Sequence, residues 1–537
     1  MDDVAGSGCF CPHLVLVNRF MTETYFPILT CLILLPLLGC AGVFFIKTPV
    51  AVRRWALGVS LTEMLMGLFL LQFQLGTAEF QFVESVPWVP TWGLQYFLGV
   101  DGISVFMVAL TLIMFPFCII CSWTSIINRV REFHICLFVL ISALIGVFSA
   151  LDLVLFYLFW EAILIPTYLL ISLWGGPQRD HAALKFILYT LAGSALLLVV
   201  VIAFRVEGGS FSIPALMNQS FSVNFQQWTF LIMALAFAVK VPLFPFHTWL
   251  PAAYGQAPIA GSIILSAVMA KMGAYGFLRL GLPLAPEAAH FFAPLIIAMS
   301  VCSILYGGLL AFAQSNLKKI IAYSSLGHMG FVILGIFLFN INGVQGAVIQ
   351  MVNHGITTGA LFAMVGILYQ RSGSHEISGN LGLGKFVPAF MGFWGLFAFA
   401  GFAFPGTNNF VGEFLILVGA FERNLWLGAV VVPGALLAAA YMLRPTQKMT
   451  WGEPSNATKW RDMSGREWAC LLPMAFLVLY LGLAPTLCLK VMNPSLKHLI
   501  VAFQSRVSVT LSIDKNLFSP VNNAESLNGK STGGSQP

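Results

Sequence analysis

Apolar runs recur along nearly the whole chain, and they constrain its fold more than any other feature. Many are long enough to cross the core of a bilayer as a helix, which takes about 20 residues. Only 9% of the 537 residues are charged, against about 25% in a soluble domain. A transmembrane β-barrel needs alternating polar and apolar residues, whereas runs such as 26–46 are continuously apolar. The sequence therefore predicts an all-α polytopic membrane protein.

The hydrophobic pattern predicts about fourteen transmembrane helices. Their predicted extents are 26–46, 55–75, 101–123, 133–149, 152–173, 183–204, 227–249, 258–280, 289–313, 320–340, 345–370, 388–422, 426–445 and 468–489. We divide the chain into an N-terminal extension, three leading helices, two five-helix repeats, a loop with the last helix, and a C-terminal tail with a disordered end. These parts span 1–25, 26–125, 126–285, 286–446, 447–490 and 491–537. Residues 1–20 do not read as a signal peptide, and Met21 is an alternative start.

Positive charge gathers on every second loop between the predicted spans. The first loop carries Lys47, Arg53 and Arg54, and the ninth carries Lys318 and Lys319. Because basic loops stay on the cytoplasmic side, these loops should face the cytoplasm or its equivalent, and both termini should face the opposite, positive side of an energy-coupling membrane. Bacterial inner, mitochondrial inner and thylakoid membranes all fit this pattern. No nucleic-acid role is expected from these scattered bases.

Several ionisable residues interrupt the apolar runs, and they are the candidate functional residues. A charge near the centre of a membrane helix costs about 2.5–3.5 kcal/mol or more unless it is paired or hydrated. Such residues are therefore functional candidates, although a histidine can be a satisfied core residue and a lysine near a span end can reach the interface. The candidates are Glu161, Lys240, Lys271, His328, His354 and Glu413, with Lys185 as a secondary member.

Two of these charges stand beside helix breakers. Pro242 follows Lys240 closely, and Pro405 precedes Glu413. Because proline disrupts a helix interior, both spans should be broken helices that line a cavity. Glu413 follows Lys240 by the same 173 positions that separate Arg444 from Lys271 (413 − 240 and 444 − 271). This spacing predicts two five-helix repeats that are inverted relative to each other, as in transporters whose ion sites lie at paired broken helices.

The charges suggest a lateral proton relay. A carboxylate near a buried lysine favours the protonated lysine, so a change in the distance between Glu161 and Lys240 can load or release a proton. Lys271 could then accept that proton. The two histidines could pass it towards Glu413, because histidine titrates near neutral pH.

The segments that carry these residues resemble a known family. LFYLFWEAILIP, FAVKVPLFPFHTWLP, NLKKIIAYSSLGHMGF and FPGTNNFVGEFL resemble the proton-pumping antiporter-like subunits of respiratory complex I over roughly residues 85–450. The resemblance implies fourteen core helices, inverted repeats and broken helices seven and twelve. It also implies roles: Glu161 modulates the pump lysine Lys240, Lys271 connects the two halves, His328 and His354 link them, and Glu413 is the terminal residue.

Within that family the chain looks like the M type, which is subunit 4 in mitochondria. The related L and N types carry lysine where this chain has Glu413, and the L type has a long lateral helix that we do not expect here. One departure is that Ala252 and Tyr254 stand where the family usually has Asp and His after W-L-P. This difference puts the contacts of that loop, or proton entry there, in doubt.

The resemblance also implies partners and cofactors. The partners would be other complex I membrane subunits, especially the L and N types, together with lipids. We expect no metal and no cofactor on this chain, so NADH, FMN, iron–sulfur clusters and quinone belong to partner subunits. Alternative interpretations are a subunit of a multi-subunit Na⁺/H⁺ antiporter, a membrane-bound hydrogenase subunit, or a passive scaffold. Cys118 and Cys121 form a C-x-x-C inside an apolar run, which indicates packing rather than a redox site.

Overall fold

The computed structural model describes residues 26–453 and 460–517, with side chains described to residue 508. The predicted N-terminal extension, the alternative start at Met21 and the end of the tail lie outside the described residues. In chain order the helices are α1 (Ile28–Phe45), α2 (Pro49–Gln72), α3 (Ser104–Ser122), α4 (Val130–Ser149), α5 (Leu153–Trp174), α6 (Arg179–Gly208), α7 (Ile213–Met217), α8 (Val223–Lys240), α9 (Trp249–Gln256), α10 (Ile259–Leu284), α11 (Pro286–Phe312), α12 (Leu317–Phe337), α13 (Ile341–Ser372), α14 (Pro388–Gly401), α15 (Asn408–Arg423), α16 (Leu425–Trp451), α17 (Gly465–Leu483) and α18 (Thr486–Leu517).

Twelve of the described helices are long and apolar enough to cross a membrane. The prediction of a helical multi-pass protein is therefore confirmed. The pairs α8–α9 and α14–α15 coincide with the two spans predicted to be broken. Helix α10 is also irregular, because π-type turns at Leu265–Met269 and Phe277–Gly281 interrupt its α-helical hydrogen bonding.

A β-hairpin between α2 and α3 departs from the predicted all-helical chain. Strands β1 (Gln81–Val89) and β2 (Leu94–Val100) pair antiparallel, and Gly93 adopts a left-handed φ of 72° at the turn. The amide of Leu151 donates to the carbonyl of Phe97 at 2.8 Å, which ties β2 to the α4–α5 connection. The prediction missed this hairpin because it considered only runs long enough to cross a bilayer.

The connections between spans define two faces of the helical bundle. We call the face with the hairpin and the α4–α5 connection the hairpin face, and the face with the basic loops the basic face. If each span crosses once, the starts of α3 and α13 and the ends of α10 and α12 all lie on the hairpin face.

Helix α18 follows the last span and runs along the hairpin face. The Ser495 hydroxyl accepts from the amide of Gly102 at 3.0 Å, at the start of α3. Gln504 donates to the carbonyl of Phe339 at 3.1 Å, just after α12, and Arg506 donates to that of Pro283 at 3.1 Å, at the end of α10. The segment predicted as a tail from residue 491 thus begins inside the 32-residue helix α18, which joins both halves of the bundle.

Close glycine contacts fix the approach of α13 and α15, the helices that carry His354 and Glu413. A Cβ added at Gly346 would lie 2.8 Å from the backbone oxygen of Gly412 and 2.8 Å from the backbone nitrogen of Ile416. Backbone atoms cannot move aside as a flexible side chain can. Small residues commonly allow membrane helices to approach this closely.

We expect Gly346→Ala to destabilise the subunit by about 1–3 kcal/mol, the usual cost of overpacking. Gly392→Ala is the matched control, because a Cβ there meets nothing within 4 Å. The readout is the thermal dissociation midpoint of this subunit in the purified complex. Equal midpoints for the two variants would show that α13 and α15 can separate without cost.

Candidate functional site

The first helix break ends α8 at Lys240, and side chains satisfy the backbone groups that the break releases. The indole of Trp249 donates to the carbonyl of Val239 at 2.9 Å. The amide of Phe244 donates to the hydroxyl of Ser303 at 2.9 Å. Backbone that leaves helical geometry at membrane depth needs such partners, because lipid offers none. The break is therefore built into the fold, as Pro242 predicted.

Lys240 is buried at this break beside an aromatic ring. Its Nζ lies 5.1 Å from the centre of the Trp160 ring, a distance suited to a cation–π contact. Glu161 is close enough for its charge to act on Lys240. Among the described residues, however, no ion pair within 4.0 Å involves Lys240, and its Nζ has no hydrogen-bond partner. Lys240 is thus a buried amine that interacts with Glu161 across a gap.

The second break separates α14 from α15, and an asparagine pair anchors it to α13. Asn353 donates to the carbonyl of Asn408 at 2.6 Å, and Asn408 donates to that of Asn353 at 3.0 Å. Asn409 donates to the carbonyl of Ala400 at 2.9 Å, which satisfies an end of α14. Glu413 lies after this break, whereas Lys240 lies before the first one.

Lys271 and His354 are in direct contact between α10 and α13. The Lys271 Nζ lies 2.6 Å from the His354 Nδ1 and 2.6 Å from the carbonyl oxygen of Ser266, in the first π-type turn. An ammonium group only donates, so the His354 Nδ1 accepts and a neutral His354 carries its proton on Nε2. That Nε2 is buried without a hydrogen-bond partner. The pair can therefore exchange a proton without any change in distance.

His328 and Glu413 form the next contact, between α12 and α15. The His328 Nδ1 lies 2.5 Å from the Glu413 Oε1, and that oxygen also accepts from the Gln350 amide at 3.0 Å. The Tyr441 hydroxyl lies 3.4 Å from the other ring nitrogen of His328. The pair thus joins an imidazole directly to a carboxylate, two kinds of side chain that commonly transfer protons.

The two contacts lie side by side, and together they form what we call the buried series. The ring centres of His328 and His354 are 5.4 Å apart. A rotation of one ring or a bridging water spans such a distance. Between Lys240 and Lys271, in contrast, the described residues show no hydrogen bond. The structure thus brings together four of the predicted residues, Lys271, His354, His328 and Glu413, and leaves the Glu161–Lys240 pair separate.

Two other predicted positions lie outside the series. Lys185 is partly exposed on α6 and is close enough to His247 for its charge to act on that histidine. Arg444, the proposed repeat partner of Lys271, is exposed and donates to the carbonyl of Phe312 at 2.8 Å. Arg444 thus caps the end of α11 at the basic face and does not repeat the buried position of Lys271.

Sequence reasoning missed the neutral and aromatic members of the site. Two of them contact predicted residues directly: Gln350 donates to Glu413, and the Tyr441 hydroxyl lies beside His328. The other two, Asn353 and Asn408, are hydrogen-bonded to each other at the second break. Gln350 precedes His354 by one helical turn on α13, and this i, i+4 spacing is a signal that could have identified it.

Comparisons with known proteins agree on one family. The profile described as NADH:quinone oxidoreductase/Mrp antiporter, TM, matches residues 150–438. The chain is 43% identical to NADH-quinone oxidoreductase subunit M of Rhodobacter capsulatus over 464 residues, 83% of this chain and 90% of that protein. It is 39% identical to NADH-ubiquinone oxidoreductase chain 4 of Marchantia polymorpha over 475 residues, 87% of this chain and 96% of that protein.

A solved structure extends the likeness to the fold. A chain of respiratory complex I from Thermus thermophilus with bound NADH superposes with a TM-score of 0.82 at 30% identity. The match covers 88% of this chain and 99% of that one. Sequence and fold therefore point to the same group of membrane subunits.

Proposed function

The chain belongs to the antiporter-like membrane subunits of complex I, in the subunit M (chain 4) group, and from this membership we propose that its buried series carries protons during NADH:quinone oxidoreduction. It is thus a multi-pass subunit of a bacterial or mitochondrial respiratory complex. In the proposal, Glu161 controls the charge of Lys240, and Lys271, His354 and His328 connect Lys240 with Glu413.

The contact between Lys271 and His354 carries this proposal. Two basic groups 2.6 Å apart in a fully buried position share at most one proton comfortably, because like charges at this distance repel strongly in a medium of low dielectric constant. When the pair already holds one proton, a second proton that arrives is therefore driven on from His354 towards His328. His328 and Glu413 can receive it, since that pair combines a base with a carboxylate.

The missing hydrogen bond between Lys240 and Lys271 gives the series a point of control. A proton crosses there only when water or a side-chain movement closes the gap. Loss of attraction between Glu161 and Lys240 lowers the proton affinity of Lys240 and favours release across that gap. This is how a conformational change elsewhere in the complex would be coupled to transfer.

The remaining assignments follow the family. We propose that the basic face lies towards the cytoplasm or the mitochondrial matrix and that both termini lie on the positive side. The redox cofactors, FMN, iron–sulfur clusters and quinone, are assigned to partner subunits. The L-type and N-type subunits are the proposed neighbours within the membrane arm.

Replacing His354 tests the series at its central contact. We expect His354→Ala to lower the rate of NADH-driven proton uptake, because it separates Lys271 from His328. His134→Ala is the matched control, since His134 is equally buried on α4 but bonds only to the carbonyl of Val130 at 2.7 Å. The measurement is proton uptake by inverted vesicles, with assembly checked on native gels. Unchanged pumping in assembled His354→Ala complex would exclude His354 from the path.

A further inference from the structure

A cavity of about 200 Å³ opens on the hairpin face between α18 and the C-terminal part of α10. Its lining includes Asp101, Arg279, Ser495, His498 and Phe503. Helix α18 contributes the last three residues, so the cavity lies between α18 and the end of α10. None of these residues belongs to the buried series.

A buried ion pair lines this cavity. The Arg279 Nη2 lies 2.6 Å from the Asp101 Oδ1, and both side chains are 5% exposed. The same oxygen accepts from the amides of Ile103 and Ser104, at 3.1 and 3.0 Å, and from the Ser104 hydroxyl at 3.0 Å. Burial opposes ionisation of Asp101, but Arg279 and these donors hold the pKa of that carboxyl below its usual range. Asp101 is therefore a fixed acceptor and not a proton carrier.

The guanidinium also extends the network into the bundle. The Arg279 Nε donates to the Tyr275 hydroxyl at 3.1 Å, and that hydroxyl donates to the carbonyl of Phe148 at 3.0 Å. The ring of Phe80, just before β1, covers the guanidinium at 4.9 Å. The ion pair thus holds together the hairpin, α3, α4 and α10.

The position of Arg279 on α10 connects this network with Lys271. The two residues are eight positions apart, which corresponds to a rise of about 12 Å at about 1.5 Å per residue. Tyr275 lies halfway between them on the same helix. If the ion pair opened, Tyr275 is the polar side chain of α10 that would stand between the cavity and Lys271.

We propose that the Asp101–Arg279 pair is a seal that stops protons on the hairpin face from reaching Lys271. A fixed, desolvated guanidinium repels an approaching hydronium ion, as arginines do in pores that exclude protons. Asp101 holds the guanidinium in place beside the cavity. The seal lets Lys271 exchange protons only with the buried series, which one-way pumping requires. This inference rests on the proposed function in taking Lys271 as a proton carrier.

The test measures passive proton leak without turnover. The complex carrying Asp101→Asn and Arg279→Gln together is reconstituted in proteoliposomes without NADH, and an entrapped pH dye follows proton entry under a potassium diffusion potential. The double variant removes both charges and keeps hydrogen-bonding groups, so folding is retained better than in either single variant. We expect a several-fold faster leak than in the wild-type complex, and we expect Lys271→Met added to the double variant to suppress it.

A second, partly buried ion pair provides the control. Arg371 and Glu467 lie 2.7 Å apart on the basic face, and Arg371→Gln with Glu467→Gln should leave the leak unchanged. A wild-type rate of leak in the assembled Asp101/Arg279 double variant would overturn the seal. An equally fast leak in the Arg371/Glu467 control variant would also overturn it, as would a leak that the added Lys271→Met does not slow. Because no electron donor is present, the leak measurement is separate from the pumping measurement. If His354→Ala loses pumping but the Asp101/Arg279 double variant leaks no faster than wild type, the seal alone is rejected.

Discussion

Replacing Lys240 with alanine is expected to reduce both NADH-driven proton uptake and quinone reduction by about tenfold or more, because a positioned proton-transfer group usually contributes at least that factor. Lys240 is the ionisable group at the first helix break, and Glu161 is the only predicted site residue whose charge the structure shows acting on it. Without Lys240, a proton has no acceptor between Glu161 and Lys271. Both activities should fall because pumping and electron transfer are obligatorily coupled in the proposed function.

Assembly should survive this change for a physical reason. The Lys240 Nζ has no hydrogen-bond partner among the described residues, so its removal leaves no hydrogen-bonding group unpaired and abolishes a costly buried charge. Lys240→Met separates charge from packing, because methionine fills most of the same volume. Both variants should lose pumping to a similar extent.

The control for Lys240 is Lys319→Ala, which removes an exposed lysine at the start of α12. Vesicles are compared at equal complex content, with proton uptake and quinone reduction recorded together. If assembled Lys240→Met keeps wild-type rates of proton uptake and quinone reduction, Lys240 is not the central carrier and the scaffold interpretation gains support.

Glu413→Gln is the second change from which we expect a large loss. Glutamine keeps the shape of the side chain and the hydrogen bonds with His328 and Gln350, but it cannot take up a proton at the end of the series. We expect pumping to fall about tenfold or more, since the terminal acid–base group is lost. Truncation to alanine would also cost roughly 3–5 kcal/mol of stability by leaving a buried partner unpaired, so glutamine is the better probe.

Two further variants make the Glu413 result specific. Glu413→Asp restores the carboxyl group one methylene further from His328, and it should recover part of the pumping. Glu422→Gln, at the exposed end of α15, should have no effect, because Glu422 lies outside the buried series and accepts a hydrogen bond from Asn342. Equal activity of Glu413→Gln and Glu422→Gln would remove Glu413 from the path and leave the His328 contact a structural one.

Some parts of the site were not predictable from residue types. Asp101 and Arg279 stand near the ends of apolar runs, where charges normally reach the interface, and only packing reveals that both are buried and paired. The same limit explains Arg444, which shares the sequence spacing of Lys271 but lies at the basic face. The hairpin escaped prediction because two short strands carry a weaker pattern than a membrane-spanning helix.

The sequence by itself determined that the chain is a bundle of membrane helices and that Lys240, Lys271, His328, His354 and Glu413 lie inside it. It did so because the cost of placing a charge in lipid depends on the local run of residues and hardly on the rest of the fold. The proline positions likewise determined where the two helices break, since a missing amide is a local property.

Only the tertiary structure decided the order of contacts along the series. Lys271, His354, His328 and Glu413 come from α10, α13, α12 and α15, and their distances depend on how closely those helices pack. The glycine contact between α13 and α15 is one determinant, because it sets how near their backbones approach. The gap between Lys240 and Lys271 arises in the same way: side chains on separate helices meet only where packing brings their backbones together.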